Sequence, residues 1–286
     1  MLSTLRTLLV LGQVSNLPTV WSNCLAGWWL GGGGQVEKLP LLFVGATLLY
    51  VGGMYWNDAF DEEFDRQFRM ERPIPAGAMA PQTVWRLGML WLGIGALCLV
   101  CIGRTTGTIG LILLSCIVLY DALHKRISFA PFLMGLCRFC LYLAAASVGA
   151  SGITGLSIWC GLALAAYVIG LSYLARSESS PKPARLRYAL LIPLILPAGL
   201  ALTINAGVLR ESTAMLSAIF ALWIVRCLRP TFWSETPNIG RTVSGLLAGI
   251  VIVDWLAAVD VPRELAFVFL GLFLAANVFQ RVVPAT

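Results

Sequence analysis

Ten apolar blocks, most of them near twenty residues long, divide this chain and leave few folds open to it. They run over Leu8–Leu30, Leu39–Trp56, Thr83–Gly103, Thr106–Ala122, Ser128–Ala150, Ile153–Ala175, Arg187–Gly207, Thr213–Leu228, Thr242–Ala258 and Ala266–Gln280. A helix of about twenty residues covers ~30 Å, the thickness of a bilayer's hydrocarbon. Backbone amides and carbonyls find no partner in lipid, so each block is expected to close its hydrogen bonds internally as a helix. The expectation is an all-α, polytopic transmembrane bundle of nine or ten helices. The late blocks around Leu222 and Ala248 are short and decide between nine and ten. Of 286 residues, 58% are apolar and 12% charged, about half the ~25% charged share of a soluble domain. No segment reads as a soluble domain, so residues 1–286 form one transmembrane unit.

Charge orients the bundle. With ten spans and the N-terminus inside, fifteen of the twenty Lys and Arg residues fall on the inner side, among them Arg6, Arg66, Arg86, Lys182, Arg229 and Arg281. Only Lys38, Arg104, Arg210 and Arg263 fall outside, and Arg138 lies within a span. This is the asymmetry of the positive-inside rule. The net charge of +6 therefore reports topology and attraction to anionic head groups, not nucleic-acid binding. The first block is broken by Gln13, Ser15 and Asn16 and lacks a small-x-small cleavage site, so it reads as a first span, not a signal peptide. Eight cysteines lie almost wholly within spans. The pairs Cys98/Cys101 and Cys137/Cys140 have CxxC spacing but no nearby His or carboxylate, so they read as helix-packing residues.

Most connections are short, which makes neighbouring helices antiparallel. Two inner segments depart from this: residues 57–82, densely charged, and residues 176–187, with Ser-Glu-Ser-Ser-Pro-Lys-Pro. Long loops in compact proteins tend to be functional or disordered. Gly31–Gly34 reads as a plain flexible turn. Small residues at Gly93/Gly95, Gly107/Gly110, Gly161 and Gly245/Gly249 are expected to let helices approach closely.

The first inner loop carries the chemistry. In Asn57-Asp58-Ala59-Phe60-Asp61-Glu62-Glu63-Phe64-Asp65-Arg66, three aspartates stand at i, i+3 and i+7, one face of a helix. Carboxylates stacked in a partly dry site repel one another, and a divalent cation relieves that. Carboxylate oxygens with retained water and substrate phosphate are what Mg²⁺ prefers. A solvated acidic helix end is the simpler alternative. Arg69, Arg72, Pro73, Pro75 and Gly77 follow as a basic, stiff turn, and guanidinium forks suit phosphate oxygens.

The run NDAFDEEFDRQFRMERPIPAG resembles the first aspartate-rich motif of the UbiA superfamily of intramembrane prenyltransferases, NDxxDxxxD, an arginine, then RPIPxG, placed after the second span. The resemblance implies a helical bundle around a central cavity open to the membrane. It also implies a Mg²⁺–diphosphate site at Asn57, Asp58, Asp61 and Asp65, with Arg69 and Arg72 as basic support. In Tyr120-Asp121-Ala122-Leu123-His124-Lys125-Arg126, where the family often carries a tyrosine and a lysine, Lys125 is either a diphosphate contact or a positive-inside anchor. His124, the sole histidine, reads as interfacial. Asn16 or Asn23 is expected to face the cavity and contact an acceptor. Arg138, costly within a span, either faces the cavity or pairs with Asp254.

The resemblance breaks at the family's second aspartate motif. The corresponding segment, Ser172-Tyr173-Leu174-Ala175-Arg176-Ser177-Glu178-Ser179, has no aspartate. Arg176 stands where a metal ligand is expected, and it resembles in this the divergent EboC-type UbiA-like branch. Two readings follow. In one, Mg²⁺ ionises a prenyl diphosphate, Arg176 and Lys125 stabilise the leaving group, Tyr173 shields the cation, and an aromatic or other lipophilic acceptor is alkylated. In the other, the cavity binds or helps translocate an isoprenoid lipid or metabolite without turnover. Either places the chain in a membrane, a bacterial inner membrane by its basic and signal-free character, with both polar loops cytoplasmic.

Overall fold

The computed structural model describes residues 4–176, 190–205, 210–234 and 237–283, which form twelve α-helices and two 3-10 turns and contain no strand. In chain order these are α1 (Thr4–Leu11), α2 (Leu17–Leu30), α3 (Leu39–Phe60), α4 (Glu62–Phe68), α5 (Pro81–Ile102) and α6 (Arg104–Leu123). They continue with α7 (Ala130–Ala146), α8 (Gly155–Arg176), α9 (Ile192–Ile204), α10 (Arg210–Phe232), α11 (Ile239–Ala257) and α12 (Arg263–Val282). Seven of them, α3, α5, α6, α8, α10, α11 and α12, are long and apolar enough to cross a membrane, and α7 and α9 are shorter apolar helices. Each of the ten apolar blocks holds a helix. Five begin with proline in the first turn, at α2, α3, α5, α7 and α9, where a missing N–H costs nothing.

The first block is not one helix. α1 stops at Leu11, Gln13 adopts a left-handed conformation (φ 41°), and a 3-10 turn at Val14–Asn16 leads into α2. Pro18 in the first turn of α2 fixes the break, because an α-helix running through it would lose a hydrogen bond and clash one turn back. The second block runs further than its hydrophobicity: α3 continues through Asn57 and Asp58 to Phe60, carrying both polar residues into the bundle's edge.

Glycines set the tightest helix contact. A Cβ on Gly52 would lie 2.9 Å from the Leu92 amide nitrogen and 3.0 Å from the Gly88 carbonyl oxygen. One on Gly95 would lie 2.8 Å from the Leu49 amide nitrogen and 2.9 Å from the Gly45 oxygen. α3 and α5 thus meet backbone to backbone through two glycine pairs seven residues apart. Gly107, Gly110, Gly161, Gly245 and Gly249 also face neighbouring helices, whereas Gly93 faces open space. The Gly31–Gly34 run is a shaped turn and not a loose one. Gly32, Gly33 and Gly34 all have positive φ, and the Gly31 and Gly33 carbonyls accept from the amides of Ser151 (2.7 Å) and Ala150 (2.6 Å). All eight cysteines are free, and five are buried.

Between α2, α3, α6 and α7 lies a cavity of about 80 Å³. Its wall is apolar except at the ends, where Tyr120 and Asp121 stand on one side and Arg138 on the other. The second inner segment, residues 176–187, lies outside the described residues apart from Arg176.

Because the α3–α5 contact leaves no room for a side chain, Gly52→Val is expected to lower the apparent melting temperature in detergent by several degrees. The cost of such overpacking is about 1–3 kcal/mol. Gly93→Val, on the same helix as Gly95 but facing open space, is expected to leave it within a degree or two. Equal effects from the two would contradict this packing.

Candidate functional site

The aspartate motif straddles a helix junction. α3 ends at Phe60, Asp61 joins it to α4, and the Asp61 and Asp65 amides still donate to Asn57 (3.0 Å) and Asp61 (2.9 Å). The i→i−4 ladder therefore survives the junction, and Asp58 and Asp65 both turn inward, 4% and 3% exposed. After α4 the chain folds under the site through Arg69–Ala78. Ile74 is buried among Leu11, Tyr55, Ala59 and Val84, and Gly77 adopts φ 71°. That anchor holds Arg72 beneath the acids.

Each acid has a different setting. Asp58 Oδ1 accepts from Arg72 Nη1 at 3.2 Å, and its Oδ2 is buried without a partner. Asp61 Oδ1 lies 2.7 Å from Lys125 Nζ and 3.2 Å from His124 Nε2. Asp65 Oδ1 is buried without a hydrogen-bond partner. Lys125 Nζ also sits 3.8 Å above the Phe64 ring, a cation–π contact that tethers α4 to the end of α6. Arg69 ends α4 half-buried, its amide donating to the Asp65 carbonyl at 2.8 Å, and its charge reaches Asp65. Burial raises the Asp61 carboxyl, but hydrogen bonds and charge from His124 and Lys125 outweigh it and hold the group below its ordinary range. For Asp65 burial wins over Arg72, and with the Asp61 charge beside it the carboxyl is pushed up.

His124 is not merely interfacial. Its ring stacks on Tyr120, Nε2 faces Asp61, and Nδ1 lies 3.1 Å from the Asp121 carbonyl oxygen. Both nitrogens thus face oxygen atoms. Sequence reasoning passed over Asp121. It is 3% exposed, it accepts from Asn57 Nδ2 at 3.3 Å through Oδ1, and its Oδ2 has no partner. The signal was present: Asp121 stands one turn before Lys125, as Asn57 stands one turn before Asp61, so two helix ends meet at matched spacing.

Arg138 faces the cavity and makes no direct ion pair with Asp254 among the described residues. It donates to Asn23 Oδ1 (2.7 Å) and Thr19 Oγ1 (3.0 Å). Asn23 Nδ2 in turn donates to Asp254 Oδ2 at 2.7 Å, so the charge pair with Asp254 is relayed through an amide. Asn16 is buried at the start of α2, with its side chain in hydrogen-bond reach of Tyr50 on the cavity wall. Arg176 and Tyr173 do not join the acids. Arg176 Nη1 donates to the Ile127 carbonyl at 2.7 Å, bracing the loop that carries Lys125, and Tyr173 packs edge-on against Phe132. The side chain that the sequence placed at a leaving group is spent on backbone carbonyls, because α8 ends level with the α6–α7 loop. Glu178, Lys182, Arg185 and Arg187 lie outside the described residues.

Among the described residues no three His, Cys, Asp or Glu side chains converge at metal-ligating distance. The donor set still fits a hard cation. Asp58 Oδ2, Asp65 Oδ1 and Asp121 Oδ2 are buried oxygens without partners, all of the kind Mg²⁺ takes directly or through retained water.

The profile of the UbiA prenyltransferase family matches residues 17–228. The digeranylgeranylglyceryl phosphate synthase of Ignicoccus hospitalis is 32% identical over 103 residues, 36% of this chain, and the alignment spans about a third (34%) of that relative. Among solved structures, an apo UbiA homologue from Aeropyrum pernix K1 has TM-score 0.68 at 14% identity, covering 88% of this chain and 98% of that one. A UbiA homologue from Archaeoglobus fulgidus bound to GPP and Mg²⁺ has TM-score 0.67 at 14% identity, covering 95% and 99%.

The two flanking acids are expected to act oppositely on the metal-free protein at pH 7. The raised Asp65 carboxyl makes its charge costly, so Asp65→Asn should increase the melting temperature by a few degrees. The lowered Asp61 carboxyl contributes stability that is present above its ordinary value of 3.8 and lost as pH falls through the depressed one. Asp61→Asn should therefore decrease the melting temperature at neutral pH. Shifts of the same sign, read by thermal unfolding in EDTA, would contradict these settings.

Proposed function

Since the chain belongs to the UbiA prenyltransferase family and is a multi-pass membrane protein, we propose that it transfers a prenyl group from a prenyl diphosphate to a lipophilic or aromatic acceptor, with Mg²⁺. The observation that carries this reading is the junction of α3, α4 and α6. Buried carboxylate oxygens without partners stand beside cations that are already pre-aimed, at one end of an apolar cavity. Asp58, Asp61 and Asp65 would hold the metal, which when bound supplies positive charge against the leaving diphosphate.

The chain's own residues do the rest. Arg72 and Lys125 now neutralise Asp58 and Asp61. With a metal held by the acids, both would be free to turn their donors toward phosphate oxygens, with Arg69 beside them. Such fixed donors in a partly dry site stabilise developing charge without reorganisation. Asn57 orients the head group, and the stacked Tyr120 and His124 close the cavity's inner end. The cavity, about 80 Å³, is small against the ~300 Å³ or more of an ordinary ligand pocket. It seats the reacting end of an isoprenoid, and the remaining chain runs out between helices toward lipid. Arg138 and Tyr50, at the far end, face the acceptor. Arg176 acts as a positioning residue through the loop it braces, in place of a direct contact with the leaving group. We place the acid junction on the cytoplasmic side from the charge asymmetry, in a bacterial inner membrane.

A second reading has a specific observation behind it. Arg176, standing where the second acidic motif belongs, is committed to Ile127, so half of the metal clamp lacks its usual source. On this reading the site binds or helps translocate a phosphorylated isoprenoid or metabolite without turnover.

Pyrophosphate release separates the two. Protein purified in detergent, given geranyl, farnesyl or geranylgeranyl diphosphate with Mg²⁺ and a panel of aromatic acceptors, is expected to release pyrophosphate. Release should stop with EDTA and fall at least a hundredfold in Asp61→Ala. No release from the wild type, with saturable Mg²⁺-dependent binding of the same diphosphates, would leave the second reading standing.

A further inference from the structure

We infer that Asp121, on α6, is a ligand on the metal side of this site, beside the acids of the α3–α4 junction. The inference rests on the functional reading above. It starts from where charges are and are not balanced. Asp58 has Arg72, and Asp61 has Lys125 and His124. Among the described residues Asp121 has only the Asn57 amide at Oδ1, while Oδ2 is buried without a partner and the residue is 3% exposed.

A buried carboxyl with one neutral contact is a costly arrangement. It persists where a proton or a cation completes it. The charged side chains felt at Asp121 are themselves acids. Asp58 and Asp61 lie close enough for their charges to be felt at Asp121, so a divalent ion among them would relieve all three. The nearest basic groups, Lys125 and His124, point to Asp61 instead.

Geometry supports the same role. Asp121 lines the cavity's inner end, so its free oxygen stands at the boundary between the apolar space and the acid junction, where a diphosphate would meet its prenyl group. Asn57 bridges the two elements. It belongs to the aspartate motif on α3 and donates to Asp121 on α6, which fixes the Asp121 carboxylate so that Oδ2 remains available. Because no three acids among the described residues converge at ligand distance, Asp121 would contribute through a small closure of α6 on α3 or through metal-bound water. Mg²⁺ usually retains several waters.

The test reads metal binding itself. Mn²⁺ is titrated into purified protein and followed by its electron paramagnetic resonance signal, with and without the unreactive geranyl S-thiolodiphosphate. Wild type is expected to bind Mn²⁺ in the presence of the thiolodiphosphate. Asp121→Asn, which keeps the Asn57 contact and the volume, is expected to weaken that binding at least tenfold or remove one equivalent of metal. Asp121→Glu, which keeps the carboxylate, should restore most of it. Circular dichroism and gel filtration establish that each variant is folded. Unchanged Mn²⁺ binding in a folded Asp121→Asn protein would overturn this inference and leave the prenyl-transfer reading intact. Absence of thiolodiphosphate-dependent Mn²⁺ binding in the wild type would overturn that reading, and this inference with it.

Discussion

The meeting of two helix ends holds this site together. The last turn of α3 presents Asn57 and Asp61, and the end of α6 presents Asp121 and Lys125, each pair four residues apart. Asp61 takes Lys125 at 2.7 Å, and Asn57 takes Asp121 at 3.3 Å. This clasp decides where α4 begins, because Lys125 also covers Phe64, and it sets the floor of the cavity. It depends on two supports that make no contact with the acids. Glycines let α3 lie directly on α5, and Arg176 braces the loop after α6 from the end of α8.

Acids and bases in this clasp pair with one another. Arg72 and Lys125 neutralise carboxylates that would otherwise repel one another. The balance is incomplete, and three oxygens on Asp58, Asp65 and Asp121 stay buried without partners. That residue of unmet charge is the kind of local cost that active sites carry in exchange for affinity. On the proposed reading, Asp121 adds a carboxylate to this site from a different helix.

Much of the fold was legible in the sequence, because block length in lipid admits little besides helices. The break at Gln13 was harder to see, since the apolar pattern of Leu8–Leu30 continues across it and only Pro18 marks the change. Gly31–Gly34 carried no side chain from which to read its partners, which are backbone groups near Ala150 and Ser151. At the site, the motif spacing identified the face shared by Asp58, Asp61 and Asp65. The roles of His124, Asp121 and Arg176 were set by contacts between distant segments, and spacing along the chain does not reveal those. Arg138 shows the same limit, because its link to Asp254 runs through Asn23 on a third helix.

On the proposed reading this junction receives a metal-bound diphosphate by exchanging its internal ion pairs. Calorimetric titration of geranyl S-thiolodiphosphate into the purified protein, with Mg²⁺ and then with EDTA, reads that exchange. Saturable binding that requires Mg²⁺ and is lost in Asp58→Asn is expected. Binding of equal strength without a divalent cation, or none under either condition, would contradict it.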